Sequence, residues 1–242
     1  MPANSPLRHF VSEFPAADPA ASNSHADPVR QAFGVRPSDL AAVHRRDVNL
    51  LIWRRPPIDG IAAFAGTLAN LTGFSVCTEG TPLDITRHLR RSLVRHSTGH
   101  RPARERFVAD VSRLTWLFSN LSRSASVHLH LEAVGDDACH IFHVDRRTLR
   151  LLVTYHGRGT EWLPEAAIDR DALGYGRNDE ICLDRGAVGR LKPFWAGVFK
   201  GSAAPGNERS GIVHRSPPIG RSGRSRLLLR LDPSADIVNL HD

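Results

Sequence analysis

The chain has 242 residues, 41% hydrophobic and 24% charged, values typical of a folded protein, which exclude wholesale disorder. Its net charge is +7, and all but two of the 32 basic side chains are arginine, the exceptions being Lys192 and Lys200. The three cysteines, Cys77, Cys139 and Cys182, are widely spaced and form no C-x-x-C pair. This excludes a disulfide scaffold and a cysteine-rich zinc module, and suits a reducing, cytoplasmic setting.

The arginines are spread along the chain, with mild excesses over residues 81–113 and 206–230. A binder driven by phosphate neutralisation usually mixes lysines into a stripe or tail. The reading favoured here is therefore a solvated basic surface, with a nucleic-acid surface as the alternative.

Residues 1–30 are rich in Pro, Ala and Ser without periodicity and read as a mobile extension; the first residues lack the apolar core of a signal peptide. Residues 31–124 read as a helical region. The longest uncharged run, residues 60–78, is interrupted by Gly66, Thr67, Asn70 and Gly73, and its large apolar residues Ile61, Phe64, Leu68 and Leu71 recur at helical spacing. That is one stripe of an amphipathic helix, not a membrane span. Phe107, Val111, Leu114, Phe118 and Leu121 step by four and three, a second apolar helix face that closes at residues 122–126.

Beyond Ser124 the period becomes two. Val127, Leu129 and Leu131 alternate with His128, His130 and Glu132, a half-buried strand. Further strands are expected over 139–145, 149–155, 181–184, 188–191, 212–214 and 226–231, separated by Gly, Pro and Ser clusters. Many short strands without helical spacers predict a jelly roll in the C-terminal half, with the helical region packed on it. The expected class is α+β, with an extension over 1–30, helices over 31–124 and a core over 125–242, the last two forming one integrated domain.

Within that core, His143-Val-Asp145 places an imidazole and a carboxylate at i and i+2, which project from one face of a strand. A histidine from a distant strand would complete a facial triad that leaves metal positions open, as oxygen-activating non-haem iron needs; Zn, Mn or Ni also accept such ligands. His-x-Asp arises about once by chance in a chain of this composition, and His25-Ala-Asp27, in the Pro/Ala-rich extension, is read as that accident. His214, ending a short apolar strand, is the expected partner, with His140 and His156 as rivals. Arg226, opening the last strand, suits a bidentate partner for a small dicarboxylate on the metal, with Arg221 and Arg224 as competitors.

Taken together, His143-x-Asp145, His214 and Arg226 on a predicted jelly roll resemble the iron(II)/2-oxoglutarate-dependent dioxygenase superfamily. The stretches Cys139-x-x-x-His143-x-Asp145, Leu149-Arg-Leu-Leu-Val-Thr-Tyr155, Gly159-Thr-Glu-Trp-Leu-Pro164, His214-Arg-Ser-Pro217 and Arg226-Leu-Leu-Leu are similar to the bacterial domain of unknown function family 1826. Arg158 and Lys192-Pro-Phe-Trp195 depart from its pattern. The resemblance implies Fe(II) held by His143, Asp145 and His214. It also implies 2-oxoglutarate as a small-molecule cosubstrate bound by Arg226 or Arg224, and Tyr155 beside residues 159–162 at the pocket mouth. Glu161 would be a surface charge or would orient a ligand histidine, Trp162 would serve the core or the pocket, and Cys139 would be a small buried residue or a fourth ligand. The rival reading from another class is a non-catalytic zinc-handling protein using the same three ligands.

Overall fold

The structure, a computed structural model, describes residues 30–96, 101–135, 139–219 and 225–234. The expected extension, apart from Arg30, and both Arg221 and Arg224 lie outside the described residues. Ten strands are described: β1 (Arg30–Gly34), β2 (Val48–Trp53), β3 (Ser75–Gly80), β4 (Val127–Val134), β5 (Leu149–His156), β6 (Glu161–Trp162), β7 (Gly189–Arg190), β8 (Ala196–Lys200), β9 (His214–Arg215) and β10 (Arg226–Pro233). A large sheet has the order β1-β2-β8-β5-β10-β4-β3 and a small one the order β7-β6-β9. The β1–β2 pair is parallel and every other pair antiparallel.

Helices α1 (Ile61–Ala69), α2 (Pro82–His96) and α3 (Arg101–Ser122) cover one face of the large sheet. The expected stripe Phe107, Val111, Leu114, Phe118 and Leu121 is buried against it, because four-three spacing keeps one helix face toward the strands. The small sheet covers the opposite face of the large one. Leu50, Ile52, Leu152, Trp162, Leu191, Phe199, Ile212 and Leu228 fill the space between the two sheets. Two facing sheets of a jelly roll result, with a helical layer outside.

Strand alternation sorts the side chains of the large sheet between these two cores. On β5, Leu149, Leu151, Val153 and Tyr155 join the helical core, while Leu152 joins the inter-sheet core with Arg150 and Thr154 on its side. On β10, Leu227, Leu229 and Leu231 face the helices, which leaves Arg226, Leu228, Arg230 and Asp232 on the other face. Fully burying one Leu contributes about 1.5–3 kcal/mol, so the apolar face of each strand sets its register.

Four sequence expectations are corrected. Residues 31–124 are not a helical block, since β1, β2 and β3 lie within them and supply three strands of the large sheet. Val48–Trp53 is buried along its whole length, so the sequence shows no two-residue alternation there. The run over 60–78 is a helix only to Ala69; Gly73 takes a positive φ of 70° and turns the chain into β3. Residues 139–145 are not a regular strand: Cys139 takes φ 57°, and His143 alone pairs, through an isolated bridge to His214. Likewise 181–184 ends a short helix (Asn178–Ile181) and touches strand geometry only in the Ile168–Cys182 bridge. Among the described residues no helix is long and apolar enough to cross a membrane.

Candidate metal centre

The isolated bridge builds the site. His143 N–H donates to the His214 carbonyl at 3.0 Å and His214 N–H returns the bond at 3.0 Å. This brings together two residues far apart in the chain and sets their rings 4.7 Å apart. Asp145, two residues beyond His143, joins them: its Oδ1 lies 3.7 Å from His143 Nε2 and its Oδ2 3.3 Å from His214 Nε2. Among the described residues, His143, Asp145 and His214 form the one group able to hold a metal ion, with one ligand atom from each lying within 4.8 Å of the others. His140 and His156, the rivals for the third position, are not in it.

Backbone contacts set the chemistry of the two imidazoles. His143 Nδ1 lies 2.9 Å from the Ile141 carbonyl and His214 Nδ1 3.2 Å from the Ile212 carbonyl. A carbonyl oxygen only accepts, so each Nδ1 carries a proton, which leaves each Nε2, on the Asp145 side, as the ring nitrogen a metal would take. Burial alone would raise the Asp145 carboxyl, but His214, His143 and Arg150 outweigh it and hold it far below the usual carboxylate range. Burial likewise opposes the charge on His143, while hydrogen bonding to Asp145 and Ile141 raises its pKa above the ordinary imidazole value. Asp145 Oδ2 is buried and accepts no well-aligned hydrogen bond. Two imidazole nitrogens and one carboxylate fit a divalent cation by donor chemistry and by charge.

Sequence reasoning missed Arg150. Its Nη1 lies 2.7 Å from Asp145 Oδ2, and its Nε and Nη2 donate to both oxygens of Asp232 at 2.7 and 3.1 Å. Parity on β5 and β10 was the available signal, because Arg150 alternates away from Tyr155 and Asp232 shares the face of Arg226. The other wall is apolar, with the His214 ring packed 4.9 Å from Phe199.

A pocket of about 250 Å³ opens at the triad; His143, His214, Arg150, Cys139, Thr160 and Ser216 are among the residues that line it. Arg226 lies behind Thr160 and Ser216, with 0% exposure. Its guanidinium donates to Thr154 Oγ1 at 3.0 Å, Thr160 Oγ1 at 3.2 Å and Ser216 Oγ at 3.3 Å, all hydroxyls, and its Nε has no partner. Burial pulls its pKa down to about 10, with Glu132 and Glu161 opposing from farther off. This is a buried cation without a carboxylate in contact.

The remaining expectations divide. Tyr155 is not at the pocket mouth; its odd parity on β5 turns it to the helical face, where its hydroxyl donates to Asp110 at 2.6 Å beside Arg55. Glu161 orients neither histidine, since both Nδ1 atoms are engaged by carbonyls; it accepts from Arg190 and Arg215 instead. Trp162 packs between the sheets. Cys139 lines the pocket, exposed rather than buried, and is outside the ligand group.

No curated protein sequence matches the chain. Among solved structures it is similar to the dioxygenase for auxin oxidation from rice, at 14% identity and TM-score 0.50 over 85% of this chain and 82% of that one. It also matches the 2-oxoglutarate complex of the corresponding Arabidopsis thaliana enzyme at 10% identity, TM-score 0.47, over 85% and 92% of the two chains. A Pseudomonas putida prolyl-4-hydroxylase matches at 12% identity, TM-score 0.41, over 81% and 96%. The likeness to the rice enzyme is one of fold, the jelly roll described above. The chain belongs to the family described as protein of unknown function (DUF1826), whose model matches residues 34–232.

Proposed function

We propose that the protein is an iron(II)/2-oxoglutarate-dependent dioxygenase of the hydroxylase type. His143, Asp145 and His214 would hold Fe(II), and Arg226 would take the distal carboxylate of 2-oxoglutarate. Bound iron and cosubstrate would supply the power to activate O₂ and oxidise an unreactive C–H bond. The chain's own share is positional. Ile141 and Ile212 carbonyls hold both imidazoles in the ligand tautomer, Arg150 anchors the Asp145 carboxylate, and Phe199, Leu152 and Leu228 keep the inner wall dry.

The observation that carries this reading is Arg226. A passive metal site needs three ligands and no more; it gains nothing from a fully buried guanidinium whose partners are hydroxyls only. A buried charge is retained at a cost unless an anion joins it, and guanidinium matches carboxylate in planar, two-bond geometry.

The test is metal analysis of anaerobically purified protein, then titration of the Fe(II) form with 2-oxoglutarate while watching for a visible charge-transfer band. One Fe(II) per chain and a saturable band are expected. His143→Ala, Asp145→Ala and His214→Ala should each cut metal occupancy sharply, whereas His25→Ala should not. Full retention of metal by His214→Ala would overturn the third ligand. Fe(II) protein that ignores millimolar 2-oxoglutarate would overturn the cosubstrate, and the zinc-handling reading would then take its place.

A further inference from the structure

The outer face of the small sheet carries a second cavity, of about 380 Å³. Four arginines line it, Arg158, Arg185, Arg190 and Arg215, against two acids, Glu161 and Asp179. Glu161 is 2% exposed and stands among three of them. Its Oε1 accepts from Arg190 Nε at 3.1 Å, its Oε2 accepts from Arg215 Nε at 2.9 Å, and Arg158 Nη2 lies 3.7 Å from Oε1. Asp179 leans toward Arg177, 3.8 Å away and outside the cavity lining. Arg185 has no ion pair or hydrogen bond among the described residues.

One carboxylate thus neutralises one of three crowded guanidiniums, a fourth lies in the same wall, and the lining holds two more positive than negative charges. Like charges gathered this closely repel unless a further anion completes the group. The forks are also held in place: Glu161 pins two of them from below, and Arg215 stacks on the Phe142 ring at 4.2 Å. Phe142, Val188 and Pro218 add an apolar wall beside the charges.

We propose that this cavity binds a small phosphate-bearing molecule, with its phosphate among Arg185, Arg190 and Arg158 and its body on the apolar wall. Glu161 is a positioning residue that aims the guanidiniums. A phosphate monoester carries about −1.5 to −2 at neutral pH, which matches the surplus of the lining. The volume lies at the lower end of the roughly 300–1,000 Å³ of small-molecule pockets. A nucleic-acid strand would need a basic track rather than a single small concavity.

The test uses calorimetric titration of the full chain with inorganic phosphate and with phenyl phosphate, near 0.1 M NaCl. Saturable one-to-one binding is expected, tighter for phenyl phosphate because of the apolar wall. Arg185→Ala, which breaks no internal bond, should weaken it at least about tenfold, as loss of one charge-assisted hydrogen bond does. Arg87→Ala, at another exposed arginine, on α2, should leave it unchanged. Any of four results would overturn the proposal. These are no saturation below about 10 mM, a Kd weaker than about 2.7 kcal/mol of binding; equal losses in Arg185→Ala and Arg87→Ala; binding abolished by Arg226→Met but kept by Arg185→Ala; or displacement of phosphate by a tighter-binding single-stranded oligonucleotide.

Discussion

Replacing Arg226 by methionine separates a structural from a ligand-binding role, because the two predict different stabilities for the ligand-free protein. Arg226 is fully buried, and desolvation chiefly pulls its pKa from the ordinary guanidinium value down to about 10. At 1.36 kcal/mol per pKa unit, that drop represents about 3 kcal/mol of penalty on its charge in the ligand-free protein. Arg226→Met removes the penalty and keeps most of the volume, while losing three hydroxyl contacts that contribute about 1 kcal/mol each. The ligand-free variant should therefore unfold in urea within about 1 kcal/mol of wild type. Ligand should divide the two proteins. With Mn(II) loaded and 2-oxoglutarate at a hundred times its Kd, wild type should gain about 2.7 kcal/mol, and the variant almost nothing. In a thermal scan the wild-type gain corresponds to about 5–10 °C for a chain of this size. If Arg226→Met is destabilised by about 3 kcal/mol or more without ligand, the guanidinium is structurally satisfied and the argument from its unpaired charge fails. If 2-oxoglutarate stabilises both proteins equally, its distal carboxylate binds elsewhere.

Arg150→Met should cost about 3–5 kcal/mol in metal-free protein, since Asp145 and Asp232 then share no cation, and metal should restore part of it; a loss under about 1 kcal/mol in urea unfolding would contradict the bridge. Gly159→Ala should destabilise by about 1–3 kcal/mol in the same assay, because its Cβ would overlap the Leu191 carbonyl oxygen; a neutral result would show that β6 can shift. Burial and Asp110 hold the Tyr155 phenol well above its ordinary value of 10.0. A raised acid keeps its stabilising effect below about pH 10 and loses it as pH rises further, so Tyr155→Phe should flatten that alkaline decline by up to about 1.4 kcal/mol per pH unit; superimposable profiles would refute it. Cys139→Ser should leave metal stoichiometry unchanged, as the thiol lies outside the ligand group, and a fall in bound metal would make it a fourth ligand.

The elements legible in the sequence are those governed by local periodicity. The four-three stripe of α3 and the alternation of β4 follow from 3.6- and two-residue repeats, which need no tertiary information. The pairing of His143 with Asp145 was legible for the same reason, being a matter of two positions along one chain. Tertiary structure alone decided the rest. Val48–Trp53 is buried on both faces, so its run carries no period that tells a strand from a helix segment. Which face of β5 meets the site depends on what packs against each side: helices took Leu151, Val153 and Tyr155, and so left Arg150 and Thr154 for the pocket. The Arg55–Asp110–Tyr155 cluster and the arginines around Glu161 join residues tens of positions apart. Such ionic partners are chosen by burial, because a charge taken out of water must find its counter-charge wherever the fold brings one within reach.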